Sequence, residues 1–151
     1  MKPAIIVIDM LNDNVDRKKR TGIGEEVKKI IPNIQHLLSS AREAEIPIVF
    51  ANDSFMPNDF IFQGEEIKPH AIRGTYGAKV IDELPVQESD IVVEKRRFSA
   101  FFKTDLDITL REFKVDTIVV AGISTEVCVL ATVLDGLSND FRVIILKDCC
   151  C

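Results

Sequence analysis

Five short apolar runs punctuate the chain, at residues 4–8, 46–51, 91–94, 117–121 and 142–146. They are rich in Val and Ile and mostly apolar on both faces, the pattern of parallel strands covered by helices. Between them the spacing changes to helical intervals. Ile31, Ile34, Leu37, Leu38 and Ala41 make one stripe, with Pro32 acceptable in its first turn. Leu106, Leu110 and Phe113 make a second, opened by Thr104-Asp105-Leu106-Asp107, which resembles a capping box with Asp in place of Glu. Val127, Leu130, Ala131, Leu134 and Leu137 make a third. Alternating strand and helix predicts a three-layer α/β/α sandwich around a mainly parallel, Rossmann-like sheet with right-handed crossovers. Residues 52–77 read as a long loop region, a length that usually carries function or disorder.

A chain of 151 residues is expected to be a single domain, 1–151, with a real core. A net charge of −5 and a pI near 5.1 argue against a nucleic-acid partner, which needs a clustered basic face. The densest basic run, Arg17-Lys18-Lys19-Arg20, reads as a solvated loop. No apolar stretch approaches the roughly 18 to 20 residues of a membrane helix, and the start, MKPAIIVIDML, has the wrong flanks for a signal peptide. No membrane partner and a cytoplasmic location are therefore expected. Cys128 stands alone, while Cys149, Cys150 and Cys151 end the chain with neither a CxxC nor a secreted disulfide framework. The chain stops where a covering helix is expected after the last strand, which reads as truncation at the C-terminus.

Chemistry concentrates at the strand ends. Asp9 closes the first run, Lys95 follows the third, and Ser124 follows the fourth, with Cys128 four residues further on. In an open parallel sheet those ends form the binding crevice. An acid, a lysine and a thiol converging there are the parts of a nucleophilic cysteine site. If Ser124 or Thr125 caps the third helix, Cys128 falls in its first turn, where free N–H groups and the helix dipole favour a thiolate. A lysine nearby would lower the thiol pKa further. Each residue also has a plainer reading: Cys128 as a small buried hydrophobe, Asp9 as a cap, Lys95 as a solvated strand end.

VIDMLND at 7–13, HAIRGTYGA at 70–78, EKRRFSAFFKTDLD at 94–107 and AGISTEVCVLATVLD at 121–135, in this order, resemble the isochorismatase-like cysteine hydrolases. These include nicotinamidase and N-carbamoylsarcosine amidase. The resemblance implies Cys128 as nucleophile, Asp9 as general base and acid, and Lys95 as the residue that orients and supports both. It also implies a cis peptide at Ile123–Ser124, which would turn the Ser124 N–H toward an oxyanion beside that of Cys128. The implied reaction is hydrolysis of a small-molecule amide with release of ammonia, and a homo-oligomeric state is expected.

The chain departs from nicotinamidase at the metal. That enzyme holds one with an Asp-x-His pair and a later histidine. Here the pair reads Asp53-Ser54-Phe55, leaving Asp53 and His70 as weak metal candidates, and no cofactor is expected. N-carbamoylsarcosine amidase works without that metal and is the favoured reading, nicotinamidase with an altered metal site the alternative, and a non-catalytic scaffold the reading of another class. Such an amidase must also bind a carboxylate, for which Arg73, Arg96 or Arg97 offer a bidentate partner. His36 is read as structural.

Overall fold

β-branched, doubly apolar segments build the sheet: β1 (Pro3–Ile8), β2 (Ile48–Asp53), β3 (Ile91–Lys95), β4 (Thr117–Gly122) and β5 (Arg142–Cys150). In this computed structural model, which describes residues 1–16, 24–64 and 66–151, all adjacent strands pair in parallel, in the order β3-β2-β1-β4-β5. The helices are α1 (Asn12–Val15), α2 (Glu25–Glu43), α3 (Leu106–Glu112) and α4 (Leu130–Ser138). Alternate strand residues face opposite layers. Ala4, Ile6, Ile8, Val49 and Ile118 pack with Leu106 and Leu110 of α3 and Val133 of α4. Ile5, Val7, Ile48 and Phe50 pack with Val27, Ile30, Ile34 and Leu38 of α2. The chain is therefore a three-layer α/β/α sandwich. No described helix is long and apolar enough to cross a membrane. The run Arg17-Lys18-Lys19-Arg20 lies outside the described residues.

Several sequence expectations are corrected. Strand β2 runs to Asp53, two residues beyond the apolar run, because its ladder with β3 pairs Asp53 with Lys95. Helix α2 begins at Glu25, so Pro32 is interior. His36 is exposed on that helix. In α3 the N-cap is Asp105, which makes no side-chain capping bond; Thr104 Oγ1 accepts from the Leu106 N–H at 3.2 Å, so no reciprocal box forms. Phe113 lies past the end of α3 and is exposed.

The third stripe is the largest reversal. Leu130, Leu134 and Leu137 face solvent, each about half exposed (47%, 55% and 54%). The face turned to the sheet is Val129, Thr132, Val133 and Gly136. Gly136 explains the choice. A Cβ there would lie 2.7 Å from Ile118 Cδ1, so this small-residue face lets α4 sit closer to β4 than a leucine face could. The edge strand β5 also exposes Ile144 and Ile145, unlike the doubly buried β1 and β2.

The described residues of 54–64 and 66–78 form a flap at the C-terminal edge of the sheet. Phe55 pairs with Ile72 in an isolated bridge, short 3₁₀ turns form at Phe60–Phe62 and Tyr76–Ala78, and Leu11, Phe55 and Ala71 make a small core beneath. Asp13 Oδ2 accepts the Ala71 N–H at 2.9 Å and ties this flap to the turn after β1.

Candidate active site

The strand ends converge as the topology requires. After Ile8 the chain turns at Asp9, whose φ of 54° is a left-handed conformation that Asp tolerates better than most residues. Leu11 N–H closes the turn on Asp9 O at 2.7 Å, and Asn14 Nδ2 donates to the same carbonyl at 3.1 Å. The carboxylate is thereby directed along the sheet edge. Its Oδ1 accepts the Asp53 N–H at 2.7 Å, and its Oδ2 accepts from Lys95 Nζ at 2.8 Å. Beside it, Gly122 ends β4 with φ 116°. A Cβ there would stand 2.1 Å from Ile8 O, so only glycine lets β4 close against β1 at this level.

Lys95 is wholly buried. Its ammonium donates to Asp9 Oδ2, to Asp53 Oδ1 at 2.5 Å, to Arg97 O at 3.3 Å and to Cys128 Sγ at 3.7 Å. Burial pushes the lysine down, but the facing carboxylates of Asp9 and Asp53 outweigh it, and it is held firmly protonated. Asp53 feels burial and the Asp9 charge more than it feels Lys95, and its carboxyl is pushed up to about 7. Two carboxylates thus share one buried cation.

Cys128 lies in a π-helical turn, Thr125–Val129, in which the Val129 N–H reaches Ser124 O at 3.2 Å. Ser124 occupies the cap position with extended backbone, but its side chain makes no capping bond. The Ile123–Ser124 peptide is cis. Among the described residues the Ser124 N–H has no hydrogen-bond partner. The thiol differs from the sequence expectation. Burial first, then the Asp9 carboxylate, raise its pKa and outweigh the lowering by Lys95. The resting group is a protonated thiol, so its reaction requires a base.

Cys128, Asp9, Asp53, Ser124 and Ile123 all line one cavity of about 220 Å³, which Phe55 and His70 line from the flap side. That is smaller than the roughly 300–1,000 Å³ of pockets for drug-sized ligands. Arg73, Arg96 and Arg97 lie elsewhere, in a separate depression with Glu94 and Lys103. Arg73 Nε donates to Ser54 Oγ at 2.9 Å and pairs with Glu94 at 3.4 Å. Arg96 forks onto Asp59, whose carboxyl it holds down at about 2. Arg97 folds onto the Arg96 carbonyl. The sequence placed these arginines beside a substrate carboxylate; the structure gives them other partners.

The donor atoms of Asp9, Asp53 and Cys128 lie within 4.8 Å of one another. The Lys95 ammonium, bonded to all three, already supplies their cation. Asp53 is committed to Lys95, Phe55 fills the middle ligand place, and His70 Nδ1 is bonded to Lys68 O at 2.9 Å. A catalytic zinc normally takes three protein ligands, and this set does not fit one. Reading Asp53 as a metal candidate missed its part in the lysine cluster, although its position at a strand end on the same edge was the available signal.

The titration of Asp53 has a measurable consequence. Its folded value of about 7 lies above the unfolded 3.8, so its protonated form contributes stability that is complete below the unfolded value and is lost as pH rises through about 7. Thermal melts from pH 5 to 8 are expected to show wild type losing more stability than Asp53→Asn across that range. Parallel slopes would contradict the assignment.

Comparison with known proteins agrees with this architecture. A family model described as the isochorismatase domain matches residues 3–151. The crystal structure of N-carbamoylsarcosine amidase from Thermoplasma acidophilum superposes with a TM-score of 0.92 at 33% identity, covering 99% of this chain and 84% of that one. A probable inactive nicotinamidase of Arabidopsis thaliana is 32% identical over 147 residues, 91% of this chain and 74% of its own length. The ureidoacrylate amidohydrolase RutB of Serratia proteamaculans is 30% identical over 169 residues, 96% of this chain and 68% of its own length. With the family model spanning nearly the whole chain and the fold superposing on its members, the protein belongs to the isochorismatase family of hydrolases.

Proposed function

We propose that the protein is a metal-independent cysteine amidohydrolase that cleaves a C–N amide or carbamoyl bond of a small molecule and releases ammonia. One observation carries this reading: Asp9 and Cys128 line one cavity, and behind them a wholly buried lysine bonds Asp9 at 2.8 Å and stands 3.7 Å from the Cys128 thiol. A base, a nucleophile and a fixed charge are thereby assembled where a carbonyl carbon can reach the sulfur.

In the proposed sequence, Asp9 takes the Cys128 proton as Sγ attacks the carbonyl. The oxyanion is stabilised by the Ser124 N–H, joined by that of Cys128. The proton on Asp9 then passes to the departing nitrogen, ammonia leaves, and a thioester remains, or a carbamoyl thioester if the substrate is a urea. A water that gives its proton to Asp9 cleaves this acyl group, and the proton returns to the thiolate. Lys95 stays charged throughout. It holds the Asp9 carboxylate in place and offsets the negative charge that moves between sulfur, oxyanion and carboxylate.

The carbamoyl chemistry matches that of N-carbamoylsarcosine amidase, while the placement of the arginines gives no support to the carboxylate half of that substrate. Nicotinamidase is the second reading, favoured by the aromatic wall of Phe55 and Phe98. Ammonia release is the test, from a panel of nicotinamide, N-carbamoylsarcosine and uncharged amides and ureas, each with and without chelator. The expected result is release that chelator leaves within about twofold. Loss of turnover with chelator would overturn the metal-independent reading. No release from any compound would favour a non-catalytic scaffold of the same fold.

A further inference from the structure

One polar side chain in the cavity is not used by the proposed chemistry. Asp9, Asp53, Asn14, Ser124 and Cys128 belong to the reaction floor or its supports, whereas His70 stands in the flap wall. Its ring is held on three sides. Phe55 and Phe62 meet it edge to face, with centroids 5.4 Å and 5.6 Å away, and Nδ1 lies 2.9 Å from the Lys68 carbonyl oxygen. A carbonyl can only accept, so Nδ1 carries the hydrogen, and in the neutral ring Nε2 is left as a bare acceptor. Nε2 has no partner among the described residues. The other walls are Phe55, Ile61, Ile67, Phe98, Ile123 and Val127, and no described Lys or Arg lines the cavity.

We propose that His70 determines specificity: its Nε2 accepts a hydrogen bond from a substrate N–H, and the preferred substrate is a small uncharged urea with one apolar substituent, R–NH–CO–NH₂. This deepens, and rests on, the amidohydrolase reading. The carbonyl carbon meets Cys128, R lies along the apolar walls, and the substituted N–H faces the histidine. Attack expels ammonia and leaves R–NH–CO–S–Cys128; water then gives the carbamate R–NH–COO⁻ and restores the thiol. An N,N-disubstituted urea leaves Nε2 unpaired, and a pyridine nitrogen offers it only a second lone pair. A carboxylate would lie among apolar side chains without a cation, a costly arrangement.

The test measures kcat/KM for ammonia release from propylurea, N-methyl-N-propylurea, 3-ureidopropionate and pentanamide, with wild type, His70→Ala and His70→Gln, the folding of each variant verified by thermal melting. Wild type is expected to prefer propylurea over its N-methyl analogue and over the acid by about tenfold or more, since a site built to hydrogen-bond an N–H discriminates against the analogue lacking it. The preference over the N-methyl analogue should fall below about threefold in His70→Ala and recover partly in His70→Gln, whose side-chain oxygen also accepts. A preference unchanged in His70→Ala, or a wild type that favours the acid or the N-methyl compound, would overturn the inference. Release from pentanamide without any urea preference would sink this inference and leave the amidohydrolase reading intact. Release from none of the four, with Cys128→Ala indistinguishable from wild type, would sink both.

Discussion

Lys95→Met is expected to destabilise the protein by about 3–5 kcal/mol, the usual consequence of removing one partner from a buried ionic cluster. The ammonium is wholly buried and bonds two carboxylates. Methionine fills the space but leaves Asp9 and Asp53 facing each other without a cation. With the lowering influence of Lys95 gone, the Asp53 carboxyl, already pushed up to about 7 by burial and the Asp9 charge, holds its proton more tightly still. The deficit therefore grows with pH: smallest near pH 5, where protonation is easy, and largest near pH 8. Urea denaturation at those two values reads the effect directly. A loss below about 1 kcal/mol at pH 8 would mean that the cluster is not held by this charge. Turnover should fall with stability, because the carboxylate that Lys95 orients is the proposed base.

The second large effect is on activity. Cys128→Ala should reduce ammonia release on the order of 10⁴-fold or more while the fold persists, since the sulfur is the proposed site of covalent bond formation. Asp9→Asn should lose about 10²- to 10⁴-fold, the range typical of a general base. Asn suits the left-handed backbone at this position, which keeps the turn after β1 intact. The thiol is protonated at rest, pushed up by burial and by Asp9, so removing the base should nearly silence it. Residues that act as a unit are not additive. The Asp9→Asn/Cys128→Ala double variant is expected to be no slower than Cys128→Ala alone. Progress curves for the three variants test this, and additive losses would show that the two residues act independently.

The parallel sheet was legible because its inner strands β1, β2 and β4 are apolar on both faces, as burial from both sides requires, and the edge strands β3 and β5 still open on Val- and Ile-rich runs. The convergence of Asp9, Lys95 and Cys128 was legible for a related reason: strand ends of a parallel sheet share one edge. Asp53 escaped the same argument because β2 was ended at Ala51, where its apolar run stops, although the ladder continues to Asp53. The α4 stripe was misread because hydrophobic spacing does not report how closely a helix must approach. Two apolar faces were available, and Gly136 selects the smaller one. The arginines were assigned by their proximity in sequence to Lys95 and to the flap, but partners such as Asp59 and Glu94 come from different elements and leave no local signature. The thiol was expected to be acidified by its lysine. Its burial and the neighbouring carboxylates, which reverse the shift, are properties of the folded cavity.

The central claim is that Cys128 carries the acyl or carbamoyl group of the substrate. Mass spectrometry of the protein, quenched in acid during turnover of a uncharged amide or urea and then digested, tests it most directly. The account predicts a mass increase equal to that group on the peptide containing Cys128, absent in Cys128→Ala and lost again when substrate is exhausted. Steady ammonia release with no adduct on that peptide, or with turnover retained in Cys128→Ala, would contradict it.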